Sequence, residues 1–169
     1  MQNMSEHNVI LSLGSNLGNR MKKLRAAVLY LSTSGLTLTA KSRVWETKPW
    51  GVADQPLFLN MCVAAKTELE PLPLMELLKE GEAVLGRTKS RRWGPREIDI
   101  DIIFYDNLIA ATPELTIPHP HVHERAFVLL PMAEIAPDAR HPISGKSVKE
   151  MLDALPESEK KGMIWITPI

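Results

Sequence analysis

Hydrophobic positions along the chain change period several times, and each change marks an element. Val9-Ile10-Leu11-Ser12-Leu13 is a short apolar run, read as a buried strand that turns at Gly14-Ser15-Asn16. Met21, Leu24, Val28 and Leu31 then recur at three- and four-residue spacing, which predicts an amphipathic helix stopping at Gly35. From Leu36 the period is two: Leu36, Leu38, Ala40, Ser42 and Val44 alternate with more polar neighbours up to Trp45, predicting one half-buried strand. Pro49, Gly51 and Pro56 break the chain between Lys48 and Pro56, and Leu57 to Ala65 reads as the next strand. Pro71 and Pro73 suit a first helical turn, with Leu74, Leu77, Leu78 and Leu85 carrying a second helix to Gly86. Glu97 to Tyr105 is the clearest strand, and Asp106-Asn107 is a turn expected to return a short partner strand. Prolines at 113, 118, 120, 131, 137 and 142 forbid long elements beyond it, although Glu124 to Glu134 has room for a short helix. Ser147 and Glu150 have capping-box spacing ahead of Met151, Leu152 and Leu155, predicting a last helix. The order β-α-β-β-α-β indicates an α+β fold: a ferredoxin-like, mainly antiparallel sheet with helices on one face and a short extra hairpin.

Composition narrows the function classes. A chain of 169 residues with 44% hydrophobic and 24% charged residues supports one globular domain, residues 1–169, with 1–7 as a polar tail. Twenty basic residues balance twenty acidic ones, so no global field favours nucleic acid or an anionic membrane, and any cationic function is local. The longest apolar run, Ala126 to Ala133, is too short to span a bilayer, and the N-terminus lacks a secretory plan, so the expected location is the cytoplasm. Cys62 is the only cysteine and lies in an apolar run, the signature of a buried thiol. No coiled-coil pattern or long apolar edge calls for an oligomer, so the expected state is a monomer.

The candidate chemistry lies at Ile98-Asp99-Ile100-Asp101-Ile102. A two-residue period sends the isoleucines to the core and both aspartates to the opposite face, where their carboxylates are neighbours. An isolated Asp-x-Asp on a solvated strand face needs no ligand. Here, however, Gly86 to Arg96 runs straight into the strand with Arg87, Lys89, Arg91, Arg92 and Arg96 among its residues. Magnesium takes one or two carboxylates and completes its shell with water and phosphate, and arginine forks match phosphate oxygens, so the pair and the arginines together suit phosphoryl transfer. Direct salt bridges between these arginines and aspartates are the simpler alternative. No Walker-type loop is present, and Gly14 to Gly18 is a weak phosphate cradle.

Several segments together resemble the 6-hydroxymethyl-7,8-dihydropterin pyrophosphokinases of folate biosynthesis. They are Leu13 to Gly18, Asp54 to Asn60, Arg92 to Asp101, Ile117-Pro118-His119-Pro120 and Glu124-Arg125-Ala126-Phe127. The resemblance implies that ATP gives its β and γ phosphates as one unit to the pterin hydroxymethyl oxygen, leaving AMP. It implies two magnesium ions held by Asp99 and Asp101, and Arg87, Arg92 and Arg96 acting on the phosphates or the closing loop. The pterin would stack between Phe58 and Phe127, with Asn60 on its edge, Thr47, Pro49 and Trp50 from the adjoining loop, and Asp99 near the hydroxymethyl group. ATP contacts would come from Glu82, Lys89, Arg92, Ile102, Thr116, His119 and Arg125.

The chain departs from the family pattern at Phe58, where tyrosine is frequent, and at Lys89, where arginine is; Lys48, Trp50 and Pro120 are also atypical. Loops 48–56 and 87–96 are expected to close over nucleotide and exclude water. Two other classes fit parts of the pattern: a metal-dependent phosphohydrolase using the aspartates with His119, His121 and His123, and a noncatalytic ferredoxin-like module binding nucleotide or RNA through the arginine loop.

Overall fold

The structure, a computed structural model, describes residues 4–168. Residues 1–3 of the expected tail lie outside the described residues, while His7 already belongs to the first strand. The α+β architecture agrees with the pattern. Strands β1 (His7–Ser15), β2 (Thr37–Lys41), β3 (Arg43–Thr47), β4 (Phe58–Thr67), β5 (Asp99–Tyr105) and β8 (Ile164–Pro168) form one sheet. Its order is β5-β1-β4-β3-β8, with β2 also on β4 and every pairing antiparallel. β6 (Ala110–Ala111) and β7 (Thr116–Ile117) make the separate short hairpin.

β1 lies between β4 and β5 and is buried on both faces, Val9, Leu11 and Leu13 in one core and Ile10 in the other, which is why its sequence reads as a continuous apolar run rather than an alternation. Helix α1 (Arg20–Thr33) starts where the Asn19 side chain accepts from Lys22 N at 3.0 Å, and α2 (Pro71–Val84) starts on its proline. Leu24, Leu31, Leu74 and Leu78 from these helices are fully buried against Val9, Leu11, Leu13 and the three isoleucines of the β5 region, forming the larger core.

Four features differ from the sequence expectation, each for a physical reason. The predicted strand from Leu36 to Trp45 is two strands. Ser42, buried at their junction, donates its N–H to Cys62 O and accepts Cys62 N at its hydroxyl, both at 2.9 Å, which shifts the register between them. The return strand after Asp106 pairs with β7 instead of β5, because the outer edge of β5 is already engaged: Glu82 accepts from Ile100 N and His119 N donates to Ile103 O. Helices cover both sheet faces. Helix α3 (Ala126–Ile135) and α4 (Val148–Ala154, capped by Ser147) enclose a second core of Ile10, Cys62, Ile103, Phe104, Val128, Leu129 and Met132 on the side away from α1 and α2. Finally α5 (Glu157–Lys160) and β8 carry no periodic signal, and β8 is held by pairing to the open edge of β3.

Candidate functional site

Register decides which residues meet. β1 places Gly14 opposite Asp99 on one side and Asn60 on the other, and Ser12 opposite Asp101 and Cys62. Asp99, Asp101, Ser12, Gly14, Phe58 and Asn60 therefore share the sheet face on which α3 begins. At that end of the sheet lies a cavity of about 270 Å³, floored by these residues and walled by His119, Arg125, Phe127 and Val128, with Thr47, Lys48, Trp50, Arg92, Trp93, Gly94 and Arg96 around its mouth.

Eleven of the residues expected at the site thus line one cavity: Thr47, Trp50, Phe58, Asn60, Arg92, Arg96, Asp99, Asp101, His119, Arg125 and Phe127. Phe58 comes to the cavity from β4 and Phe127 from α3. Asn60 is buried and donates its amide to Thr47 Oγ1 at 2.7 Å, which leaves its carbonyl oxygen for a ligand. Gly14 is required there, since a Cβ would stand 2.6 Å from Asn60 Oδ1.

Six expected residues stand elsewhere. Arg87 is just behind the floor, its Nη1 bridging Glu82 Oε2 at 2.6 Å and Asp99 Oδ1 at 2.9 Å. Glu82 is no surface charge: it is 3% exposed and its other oxygen accepts Ile100 N at 2.8 Å, so it anchors the strand that carries the aspartates. The Ile102 side chain is in the larger core, so only its main chain can meet a nucleotide. Pro49 is half-buried on its loop, Lys89 is exposed, and Thr116 is exposed on β7.

Both oxygens of Asp99 are engaged, by Arg87 and, at 3.1 Å, by Arg96 Nη1, so the ligand-free chain adopts the simpler salt-bridge arrangement at this residue. Asp101 differs. Among the described residues it makes no ion pair, and desolvation together with the Asp99 charge pushes its carboxyl up to about 7. Two adjacent carboxylates, one without a cation and reluctant to ionise, fit a hard divalent ion that brings its own water and phosphate ligands. The described residues contain no group of three or more acidic, His or Cys side chains, so an all-protein metal cage is absent. His119 is held neutral, its pKa lowered to about 4 by burial and then by the Arg125 and His121 charges, and it lies beside Arg125 Nη1 at 3.4 Å.

Sequence reasoning did not assign Ser12, Gly14, Lys48, Trp93, Gly94 and Val128 to the site, nor the pair that holds its mouth. Asn16, 2% exposed, accepts Arg96 N at 2.8 Å and donates to Gln55 Oε1 at 2.9 Å and Pro56 O at 3.0 Å. Gln55 in turn donates to Val52 O and Trp93 O, each at 2.8 Å. Loops 48–56 and 87–96 are thereby tied to β1 and to each other. Above them Trp50 meets Trp93 edge-on at 5.2 Å, and the guanidinium groups of Arg125 and Arg92 lie 4.5 Å from the Trp50 and Trp93 ring centres. Gly51, at φ +88°, is packed so closely that a Cβ would meet Trp93 Cε3 at 2.9 Å. Asn16 and Gln55 both lie in the motif segments; only their mutual bond was invisible.

Comparison with known proteins gives a consistent result. The family model described as 7,8-dihydro-6-hydroxymethylpterin-pyrophosphokinase (HPPK) matches residues 10–137. A 2-amino-4-hydroxy-6-hydroxymethyldihydropteridine pyrophosphokinase of Methylorubrum extorquens is 48% identical over 149 residues, covering 88% of this chain and 93% of the relative. The protein of the same name in Bacillus subtilis is 47% identical over 126 residues, covering 74% and 75%. Among solved structures, the Plasmodium falciparum HPPK-DHPS triple mutant superposes with a TM-score of 0.71 at 15% identity, over 88% of this chain. The chain spans 43% of that longer protein, and the likeness there is one of fold.

Proposed function

The chain belongs to the 7,8-dihydro-6-hydroxymethylpterin-pyrophosphokinase family, and from that premise we propose that Asp99 and Asp101 hold magnesium at the floor of its reaction cavity. It is an ATP-dependent diphosphokinase, moving pyrophosphate from ATP to the hydroxymethyl group of 6-hydroxymethyl-7,8-dihydropterin in folate biosynthesis, with AMP as the second product. The observation that carries the site assignment is Asp101, without an ion pair among the described residues, beside Asp99 in a cavity lined by Arg92, Arg96 and Arg125.

Bound there, two magnesium ions would neutralise phosphate charge and polarise the attacking and leaving oxygens. The chain's own groups do the rest. Phe58 and Phe127 bind the flat pterin from two sides, with Thr47, Pro49 and Trp50 at its border. Asn60, its amide pinned by Thr47, offers Oδ1 to an N–H on the pterin edge. Arg92, Arg96 and Arg125 orient the phosphates, and Arg87, paired with Asp99 in the ligand-free chain, would be free to meet them where that carboxylate holds magnesium. Neutral His119 reaches the phosphates or the ribose; Lys89, Ile102 through its main chain, and Thr116 complete the nucleotide side, and Glu82 serves it from behind by anchoring Ile100. Loops 48–56 and 87–96 close the mouth against water, which limits hydrolysis of ATP. The same reading takes residues 1–169 as one domain acting as a monomer in the cytoplasm; among the described residues no helix is long and apolar enough to cross a membrane.

Asp99→Ala and Asp101→Ala test the assignment. Both are expected to fold, because the isoleucine face is untouched, and to lose pterin-dependent AMP formation in the presence of magnesium and ATP. Near-normal turnover in both variants would overturn it. Phosphate release without pterin would instead favour a phosphohydrolase, a class disfavoured because, among the described residues, only His119 of the three histidines lines the cavity and no three His or acidic side chains form a metal-holding group.

A further inference from the structure

The loop from Arg87 to Arg96 is closed at its base by a contact that the reaction itself does not call for. Thr88 donates its N–H to Glu97 Oε2 at 3.1 Å and its hydroxyl to Glu97 Oε1 at 2.9 Å. The residues immediately before these two, Arg87 and Arg96, hold the two oxygens of Asp99 at 2.9 and 3.1 Å. The two ends of the loop are therefore joined twice, once through each other and once through the carboxylate on β5.

The surroundings reinforce the join. Lys23 of α1 donates its ammonium to Leu85 O, at the end of α2 where the loop begins. Neither Thr88 nor Glu97 lines the cavity, so neither side chain meets a substrate there.

We propose that Thr88 and Glu97 are positioning residues for pyrophosphoryl transfer: their clasp fixes both ends of the loop, so that Arg87 and Arg96 leave the scaffold as a matched pair aimed at Asp99. Residues 89–95 then move as a lid on a rigid base. The inference rests on the reading of Arg87, Arg96 and Asp99 as phosphate-handling groups. Each carboxylate oxygen of Glu97 accepts one bond from the same residue, which fixes the orientation of both partners, and a displacement of reacting groups by about 1 Å costs on the order of a hundredfold in rate.

The test compares Glu97→Ala, which removes both bonds, Thr88→Val, which removes the hydroxyl bond and keeps shape, and Thr88→Ser, which restores the hydroxyl. In full-length protein, kcat is expected to fall about tenfold or more in Glu97→Ala and less in Thr88→Val, with the pterin KM within about twofold, since only loop placement changes. Amide exchange of residues 87–97 in the ligand-free chain should quicken in the same order, a readout independent of turnover. Thr88→Ser should return both to wild-type values. Unchanged kcat in Glu97→Ala, unchanged exchange, or equal loss in Thr88→Ser and Thr88→Val would each overturn the proposal. Asp99→Ala and Asp101→Ala measured in parallel separate the two levels: if both variants turn over normally, the underlying site assignment fails, whatever the clasp variants do.

Discussion

Replacing Asn16 probes how the cavity mouth is held. Its side chain makes three hydrogen bonds, to Arg96 N, Gln55 Oε1 and Pro56 O at 2.8, 2.9 and 3.0 Å, from a position that is 2% exposed. At about 1 kcal/mol net per bond, and more where a partner is left buried and unpaired, Asn16→Ala should cost about 2–4 kcal/mol. The isosteric Asn16→Asp is more diagnostic. It keeps the acceptor for Arg96 N but turns the donor into a charged oxygen facing two acceptors, Gln55 Oε1 and Pro56 O. Gln55 cannot relieve this by flipping its amide, because Nε2 is committed to Val52 O and Trp93 O at 2.8 Å. Asn16→Asp is therefore expected to lose at least as much stability as Asn16→Ala and to free both loops together. Urea unfolding gives the first quantity; pterin-dependent AMP formation and amide exchange in loops 48–56 and 87–96 give the second. An Asn16→Asp variant within about 0.5 kcal/mol of wild type, with normal turnover, would refute the account.

Two further outcomes follow from the site. Gly14→Ala puts a Cβ at 2.6 Å from Asn60 Oδ1, and Asn60 is tethered to Thr47 at 2.7 Å, so relief breaks that bond. We expect a loss of about 1–3 kcal/mol in stability and an increase of about tenfold in pterin KM, read by calorimetry and steady-state kinetics; an unchanged KM would remove Asn60 from pterin recognition. His119, lowered to about 4 by burial and by the Arg125 and His121 charges, should titrate near that value by NMR in the ligand-free chain. Its folded pKa lies below the unfolded one near 6.5, so below pH 6.5 the unfolded chain takes up the proton first. This residue's contribution to stability is therefore lost as pH falls from about 6.5 to 4, at up to about 1.4 kcal/mol per unit. Asp101, raised to about 7, contributes in the opposite sense over that window, so the His119 effect is isolated as the difference between wild type and His119→Gln. A midpoint above pH 6 would contradict the burial argument.

The residues that were legible share one property: their neighbours in sequence are also their reason. Helices α1 and α2 declare themselves through three- and four-residue spacing and end before Gly35 and Gly86, and Ser147 caps α4 through Glu150 N as its spacing implied. Glu82 illustrates the limit. On a helical wheel it is an ordinary surface charge, and nothing within α2 reveals that β5 delivers Ile100 N to one oxygen and Arg87 to the other. β8 is the same case at the level of an element. Ile164, Trp165 and Ile166 remain 60%, 51% and 44% exposed, with no alternation to read, and they become a strand because β3 presents an open edge.

From sequence alone came the α+β order, the Asp99 and Asp101 pair with its arginine-rich approach, and the motif set that identifies the family. These depend on local period and side-chain chemistry. Only the tertiary structure decided that Gly14 stands between Asp99 and Asn60, that α3 closes the same face, that Asp99 is shared by Arg87 and Arg96 while Asp101 has no ion pair among the described residues, and that Thr88 clasps Glu97. Those facts depend on pairing between segments tens of residues apart. Such pairing is chosen by the packing of the whole core, and a one-residue slip of β1 would turn Gly14 away from the cavity altogether.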